Sequence, residues 1–199
     1  DINIMVFDEY GDMETSKWIQ ADGYHGQEFK LIQGRRYTLC ACANLGYRIY
    51  VPRLEEVKDI VYHLAYPDEY REGIPMSVVE EISVPEKEEA EIEMKMERLM
   101  SKISIRMDRS RLDEDIEMIV TGISIGNCPK KVRVFSESKA GSEEDCFIAG
   151  FNIHDEEIEN LNTVENAHIS KYVTLYMLEN MQGRFAEENI YSDTEKVLS

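Results

Sequence analysis

Hydrophobic and polar residues alternate along much of the chain, and the longest such stretch is EIEMKMERLMSKISIRMD, residues 91–108. Its apolar residues take even positions up to Met96 and odd positions from Ile103 onward. Period two is typical of a strand with one buried face, although the Glu, Lys and Met content leaves a helix open for the first half. Because a regular strand would change faces where the parity changes, we predict β structure with a bulge or bend between Arg98 and Ser101.

Several other segments have the composition or alternation of strands. They are INIMVFD, METSKWIQ, EFKLIQ, RRYTLCACAN, SVVEEISV, DIEMIVTGISIGNCP, KKVRVF and KYVTLYMLEN. Gly11 and Gly34 lie between consecutive segments, where a tight hairpin turn needs glycine, so we predict a hairpin at each. The acidic stretches SESKAGSEED and HDEEIENLNTVEN are predicted to be loops.

One segment has helical spacing. In LEEVKDIVYHLAYP, the apolar residues from Leu54 to Leu64 fall on one helical face and Pro67 follows them. We therefore predict an amphipathic helix over residues 54–65. Many short strands and one inserted helix predict a mainly β fold, a sandwich with that helix packed against it.

The charge of the chain narrows its possible partners. The 199 residues include 40 acidic and 22 basic ones, for a formal net charge of −18. Such a surface repels phosphate backbones and anionic headgroups, so a nucleic-acid partner is not expected. No apolar run reaches the roughly 18 residues of a membrane-spanning helix.

The four cysteines fit buried packing better than chemistry. Cys40 and Cys42 would share one face of a strand, where they could not easily bridge each other. A disulfide between Cys128 and Cys146 is an open alternative that spacing cannot decide. Paired CxxC motifs or Cys–His clusters, which a zinc site would need, do not occur in the sequence.

Motifs of nucleotide binding and of zinc proteases do not occur in the sequence either. There is no GxGxxG, GxxxxGK[ST] or HExxH motif, and the four histidines are scattered. GISIG at residues 122–126 has the spacing GxSxG, but it lies within a predicted strand and not at the strand-to-helix turn that a nucleophile elbow needs. Acidic clusters match no EF-hand loop, so solvated surface is the preferred interpretation. We therefore expect a protein that is not an enzyme, with no catalytic residues, no cofactor and no metal site.

Three aromatic residues are the candidates for a contact surface. Trp18, Tyr47 and Tyr50 could stack on sugar rings or pack against a partner chain, although aromatic side chains in strands most often serve packing. We take these three as candidate residues for contact with a partner or a sugar.

The order of several sequence words resembles the FimB-type fimbrial anchor proteins of Bacteroidales. These words are VFDEYG, YTLCACANLGY, RLMSKISIRMDRSRL, SIGNCPKKVRVF and LYMLENMQG, spread over almost the whole chain. The resemblance implies a transthyretin-like Greek-key β-sandwich in a surface lipoprotein of the outer membrane. It also implies a role as fimbrial anchor or accessory subunit, with fimbrial subunits as partners. Related proteins are also described as polysaccharide-binding, which is the alternative function.

The resemblance also predicts how the chain is divided. Members of the family carry a lipidated cysteine before the first strand and usually continue into a second β domain. We therefore expect residues 1–182 to form the N-terminal β-sandwich domain. Residues 183–199 would be a linker or the start of a second β domain. The membrane would be reached only through a lipid anchor outside this chain.

Overall fold

The structure is a computed structural model that describes residues 1–20, 26–64, 73–87, 89–126, 128–136, 146–147, 151–152, 155–178, 181–182 and 197–198. Its strands are β1 (Ile2–Phe7), β2 (Met13–Ile19), β3 (Arg36–Ala43), β4 (Val61–His63), β5 (Met76–Ser83), β6 (Glu97–Arg98), β7 (Met100–Ile105), β8 (Ser124–Ile125), β9 (Cys128–Pro129), β10 (Lys131–Arg133), β11 (Cys146–Phe147), β12 (Phe151–Asn152), β13 (Val164–Asn166), β14 (Ile169–Ser170), β15 (Val173–Leu178), β16 (Met181–Gln182) and β17 (Val197–Leu198). The helices are α1 (Leu54–Val57) and α2 (Asp155–Asn162).

The chain is mainly β with antiparallel pairing, as predicted. It divides into two compact units. Unit 1 comprises Asp1–His63, Tyr70–Leu99 and Val132–Glu137, and unit 2 comprises Leu64–Glu69, Met100–Lys131 and Ser138–Ser199. The division predicted at residue 182 stays a prediction. In the part of the chain that the structure describes, no helix is long and apolar enough to span a membrane.

Unit 1 is built on a five-stranded sheet in the order β2-β1-β3-β5-β6. The turn between β1 and β2 contains Gly11 at φ +80°, a conformation that glycine adopts at no steric cost. The central strand β3 combines Cys40, Cys42 and alanines, and it is buried on both faces. Small side chains suit a strand that is covered on both sides, because neighbouring layers can approach it closely.

Two apolar clusters cover the two faces of this sheet. Odd-numbered residues of β1, Met5 and Phe7, lie in one cluster, which Leu45, Ile49, Val57 and Val134 also form. The even-numbered Val6 lies in the other, where Phe29, Leu31 and Met94 pack against Tyr37, Leu39 and Ile82. This alternation along β1 is what period two requires of a strand between two layers.

Unit 2 has shorter pieces of sheet. Its longest pairing joins β15 to β7, with Val173 opposite Ile105 and Leu178 opposite Met100. The cluster beside this pair contains Ile158 and Leu161 of α2, Val173 and Leu175, with Val120, Ile123 and Ile125 packed against it. Further pairs are β8 with β12, β9 with β11, and β13 with β14.

The irregularity predicted between Arg98 and Ser101 is confirmed, and it marks a change of sheet. β6 pairs with β5 in unit 1, whereas β7, which begins at Met100, pairs with β15 in unit 2. Leu99 lies between them. The predicted extent was wrong, because residues 91–96 form neither strand nor helix.

The helix predicted over residues 54–65 was wrong in extent. α1 ends at Val57, and Val61–His63 forms β4, which pairs with β10. The backbone N–H of Val134 donates to Ile60 O at 2.9 Å, so tertiary pairing replaces the helix there. Ile60 and Tyr62 still pack against the cluster around Met5 and Phe7.

Three other predictions need correction. EFKLIQ is not a strand, because Phe29 and Leu31 pack on the sheet from a segment outside the ladder. Residues 116–123 form no strand, and β8 begins only after Gly122. The acidic stretch predicted as a loop contains α2, in which Ile158 and Leu161 are buried at helical spacing. The other loop prediction, SESKAGSEED, falls almost wholly outside the described residues.

Candidate partner-binding surface

The outer strand β2 forms an edge of the five-stranded sheet. Asp1 O accepts a hydrogen bond from Asn44 N at 2.9 Å, which shows that the backbone N–H and C=O groups of the odd-numbered residues of β1 point to β3. The backbone groups of the even-numbered residues therefore point to β2, where Ile2, Ile4 and Val6 pair with Ile19, Lys17 and Thr15. Because directions alternate along a strand, the backbone N–H and C=O groups of Ser16 and Trp18 point away from the sheet. In the described part of the chain, no strand pairs with this side of β2.

The first part of the same edge is covered. Met13 N donates to Pro52 O at 3.0 Å, and Asp12 forms an isolated bridge with Arg53. An ion pair of 2.8 Å between the Arg53 guanidinium and the Asp12 carboxylate accompanies that bridge. The pairing of β1 with β2 also shifts register between Val6 and Phe7. The accessible part of the edge therefore runs from about Ser16 to Ile19.

Lys17 lies on this part of the edge. Its Nζ donates to Glu28 O at 2.6 Å and lies 4.7 Å from the centroid of the Phe29 ring. The cation thus covers an aromatic ring while it bonds a backbone carbonyl, which fixes its long side chain. These contacts leave the outward backbone groups of Ser16 and Trp18 unobstructed by Lys17.

Trp18 lies at the exposed end of the edge, with 42% of its surface accessible. Its Nε1 donates to Asp1 Oδ2 at 3.3 Å, and Asp1 Oδ1 accepts from Gly46 N at 3.3 Å. The Asp1 carboxylate therefore links the indole to the loop that follows β3. Because Trp18 is paired directly with Asn3, both side chains lie on the same face of the sheet.

Asn3 holds this loop against the sheet. It is 1% exposed, its Nδ2 donates to Tyr47 O at 3.0 Å, and its Oδ1 accepts from Ile49 N at 2.8 Å. A buried amide satisfied in this way fixes a backbone that has no strand partner. Asn3 was not among the residues predicted from the sequence. A signal for it existed, because Asn3, Met5 and Phe7 alternate along β1 on the same face, and Asn3 is the polar residue among them.

The structure brings two of the three predicted contact residues together, because Asn3 pairs with Trp18 and bonds Tyr47 O, whereas Tyr50 lies farther along the loop that reaches Met13 through Pro52. The hydroxyl of Tyr47 donates to Val61 O at 3.4 Å, and burial, with smaller contributions from Cys42 and Tyr62, raises the pKa of Tyr47. Tyr47 is thus partly committed to packing, although it is 45% exposed. Tyr50 is 65% exposed. Trp18 and Tyr50 are therefore the side chains with most surface to offer.

Cysteine chemistry is disfavoured at β3. Burial raises the pKa of Cys40 and of Cys42 from 9.0 to about 12, so both stay protonated at neutral pH. A protonated, buried thiol is a poor nucleophile and a poor metal ligand. Strand pairing places Cys128 opposite Phe147, next to Cys146 along the chain. A bridge between Cys128 and Cys146 stays an open alternative.

Metal-binding geometry is not seen among the residues that the structure describes. No group of three or more histidine, cysteine, aspartate or glutamate side chains there could hold an ion. What unit 1 presents is a strand edge with an aromatic end. Such an arrangement binds through backbone hydrogen bonds and apolar contact.

No protein-family model and no curated protein matches the chain.

Proposed function

We propose that this chain is a non-enzymatic anchor or accessory subunit of a bacterial fimbria, which holds or caps the pilus through protein–protein contacts. Two things support the proposal. The sequence words shared with FimB-type anchor proteins run through almost the whole chain, and the antiparallel, mainly β structure is compatible with them. The proposal includes the transthyretin-like Greek-key sandwich and a surface lipoprotein at the outer membrane, with its lipid outside this sequence.

The open edge of β2 is the observation that carries the contact. Backbone N–H and C=O groups at an edge pair readily with an extended segment of another chain. Ser16 and Trp18 point such groups outward, and the adjoining loop is held in place by Asn3. A fimbrial subunit that added a strand here would extend the five-stranded sheet and pack a side chain against Trp18.

Polysaccharide binding is the second candidate. Trp18 and Tyr50 are both exposed in unit 1, and aromatic faces stack on sugar rings. The two functions differ in what they need from β2. Strand addition needs its backbone N–H groups, whereas sugar stacking needs the Trp18 ring.

The experiment uses this difference. Full-length lipidated protein is recovered from fimbriated cells as wild type, Ser16→Pro or Ser16→Ala, and fimbrial subunits that come with it are identified by mass spectrometry. Proline removes the outward N–H of position 16 without removing a bond to β1. We expect Ser16→Pro to lose the fimbrial subunit and Ser16→Ala to retain it. Trp18 fluorescence checks that each variant is folded.

Glycan arrays with the same protein test the alternative. Recovery of no fimbrial subunit by the wild type, or equal recovery by Ser16→Pro, contradicts strand addition at β2. Saturable glycan binding that is lost in Trp18→Ala, together with either of those results, would establish the polysaccharide function instead.

A further inference from the structure

Several large apolar side chains are exposed close together in the sequence of unit 2. Ile116 is 53% exposed, Met118 42% and Ile119 61%. We call these three residues the 116–119 cluster. Exposed apolar side chains that lie close together mark interaction sites, and here three large ones lie within four residues.

The backbone that carries this cluster is held by side chains and not by a strand. Arg109 Nε donates to Met118 O at 3.1 Å, while its Nη2 donates to Leu161 O at 3.0 Å, near the C-terminal end of α2. Asn162 reproduces a strand pairing, because its Oδ1 accepts from Val120 N and its Nδ2 donates to Val120 O, both at 2.8 Å. The segment is thereby fixed at Met118 and Val120.

This fixation makes the exposure of the cluster a property of the fold. Val120 is half-buried and packs against the apolar cluster around Ile158 and Leu161, so turning this side chain outward would lose apolar contact. Ile119, its immediate neighbour, is exposed. A surface whose backbone is already ordered loses little further entropy when a partner binds.

The charge around the cluster points to the chemistry of a partner. Asp113, Glu114, Asp115 and Glu117 are exposed, and no Lys, Arg or His occurs between Leu112 and Pro129. Arg109 bonds this segment from outside that range, but the carboxylates outnumber that cation. Complementary potentials steer association and select partners. A second copy of the chain is disfavoured, because each copy carries a formal net charge of −18. The same acidic residues disfavour an anionic lipid surface.

We propose that the 116–119 cluster is a docking surface for a segment of another protein in which apolar side chains are flanked by lysine or arginine. Apolar residues of that segment cover Ile116, Met118 and Ile119, while its basic residues approach the acidic side chains around them. The proposal does not depend on β2 or on a fimbrial role.

The test is a selection of twelve-residue peptides from a display library on the whole chain, followed by affinity measurements with synthetic copies of the enriched peptides. We expect these peptides to combine apolar residues with Lys or Arg. The variant Ile116→Ser/Ile119→Ser should bind them about tenfold more weakly or worse, as for removal of central interface contacts. Ile32→Ser, an equally exposed apolar residue of unit 1, should bind like the wild type.

A charge variant and a stability control complete the design. Asp113→Asn/Glu117→Gln should weaken binding at low salt, and the difference should shrink at high salt because exposed charges are screened. Thermal denaturation of Ile116→Ser/Ile119→Ser should match the wild type, since the removed side chains are exposed.

Four outcomes would overturn the proposal. They are enrichment of peptides without basic residues, unchanged peptide affinity of Ile116→Ser/Ile119→Ser, a wild-type dimer in sedimentation that this variant dissociates, and binding to phosphatidylcholine vesicles that this variant abolishes. The last two would assign the surface to a second copy or to lipid.

Discussion

Units 1 and 2 solve the same problem, the pairing of backbone polar groups around an apolar core, in different ways. Four of the five strands in the sheet of unit 1 have six to eight residues, and an apolar cluster lies on each face of that sheet. The described part of unit 2 has one strand pair of that length, β7 with β15, and otherwise strands of two or three residues. Where the strands are short, side chains such as those of Arg109 and Asn162 bond the backbone instead.

Both units use buried polar side chains to bond backbone that lies outside a strand ladder. In unit 1, Asn3 bonds the loop between Tyr47 and Ile49, which lies outside the ladder. In unit 2, Ser170 Oγ accepts from Met107 N at 2.8 Å just past the end of β7. In both units, then, these side chains serve backbone that has left regular pairing, as the cost of an unsatisfied buried group requires.

The largest expected loss of stability comes from truncating a buried side chain in the core of either unit. Phe7→Ala removes a fully buried ring from unit 1 and should cost about 3–5 kcal/mol, whereas Leu161→Ala removes a fully buried side chain from unit 2 and should cost about 2–5 kcal/mol. Trp18, the one tryptophan of the sequence, reports on unit 1 in urea titrations. Hydrogen exchange of the β15 amides reports on unit 2.

We expect Phe7→Ala to lower the urea midpoint of Trp18 fluorescence with little change in β15 exchange, and Leu161→Ala to do the reverse. Val79→Ala, at an exposed position of β5, is the control and should change neither by much. If each core variant shifts both signals equally, the chain unfolds as one cooperative unit and the comparison between units fails for stability.

The sequence predicted unit 1 better than unit 2, and particular residues show why. β1, β2, β3 and β5 each lie close to the segment predicted for them. In EFKLIQ, the apolar residues do pack on the sheet, but from a segment outside the ladder. Periodicity reports burial, and it cannot say whether a buried segment also pairs its backbone.

The helix predicted over residues 54–65 was too long for a related reason. Leu54, Val57 and Ile60 are spaced for a helix, but Ile60 and Tyr62 also alternate, and pairing of β4 with β10 decided between them. The change from even to odd apolar positions predicted an irregularity between Arg98 and Ser101. It could not predict the change of sheet, because that depends on pairing with β5 and β15, which are distant in sequence. The candidate residue Trp18 was found as an aromatic on a predicted strand, whereas its edge position required the strand order.

The second prediction concerns the pH dependence of unit 1. The folded-state pKa of Cys40 and Cys42 is about 12, against 9.0 for an ordinary thiol. Their protonated state therefore stabilises the fold fully below pH 9, and that contribution is lost as pH rises from 9 toward 12. Each thiol that ionises only on unfolding should lower the unfolding free energy by about 1.4 kcal/mol per pH unit in this range.

Urea titrations followed by Trp18 fluorescence at pH 8.0, 9.5 and 10.5 would measure this slope. Cys42→Ala should reduce it, because one of the two thiols no longer titrates. An identical slope in that variant would show that the thiols are not responsible and that other groups, such as tyrosines, determine the alkaline stability of unit 1.

The smallest expected effect comes from a pair of arginines, one in each unit. Arg109→Met removes an exposed hydrogen bond to Met118 O and a part-buried one to Leu161 O, and should cost about 1–3 kcal/mol because the part-buried carbonyl of Leu161 loses this partner. Arg53→Met removes an ion pair with Asp12 whose side chains are both more than half exposed, and should cost at most about 1 kcal/mol. Hydrogen exchange around Val120 and the urea midpoint of Trp18 fluorescence measure the two losses. If Arg53→Met costs as much unfolding free energy as Arg109→Met, or more, the hydrogen bonds of Arg109 stabilise unit 2 no more than an exposed ion pair stabilises unit 1. They would then not substitute for the backbone pairing of a strand ladder.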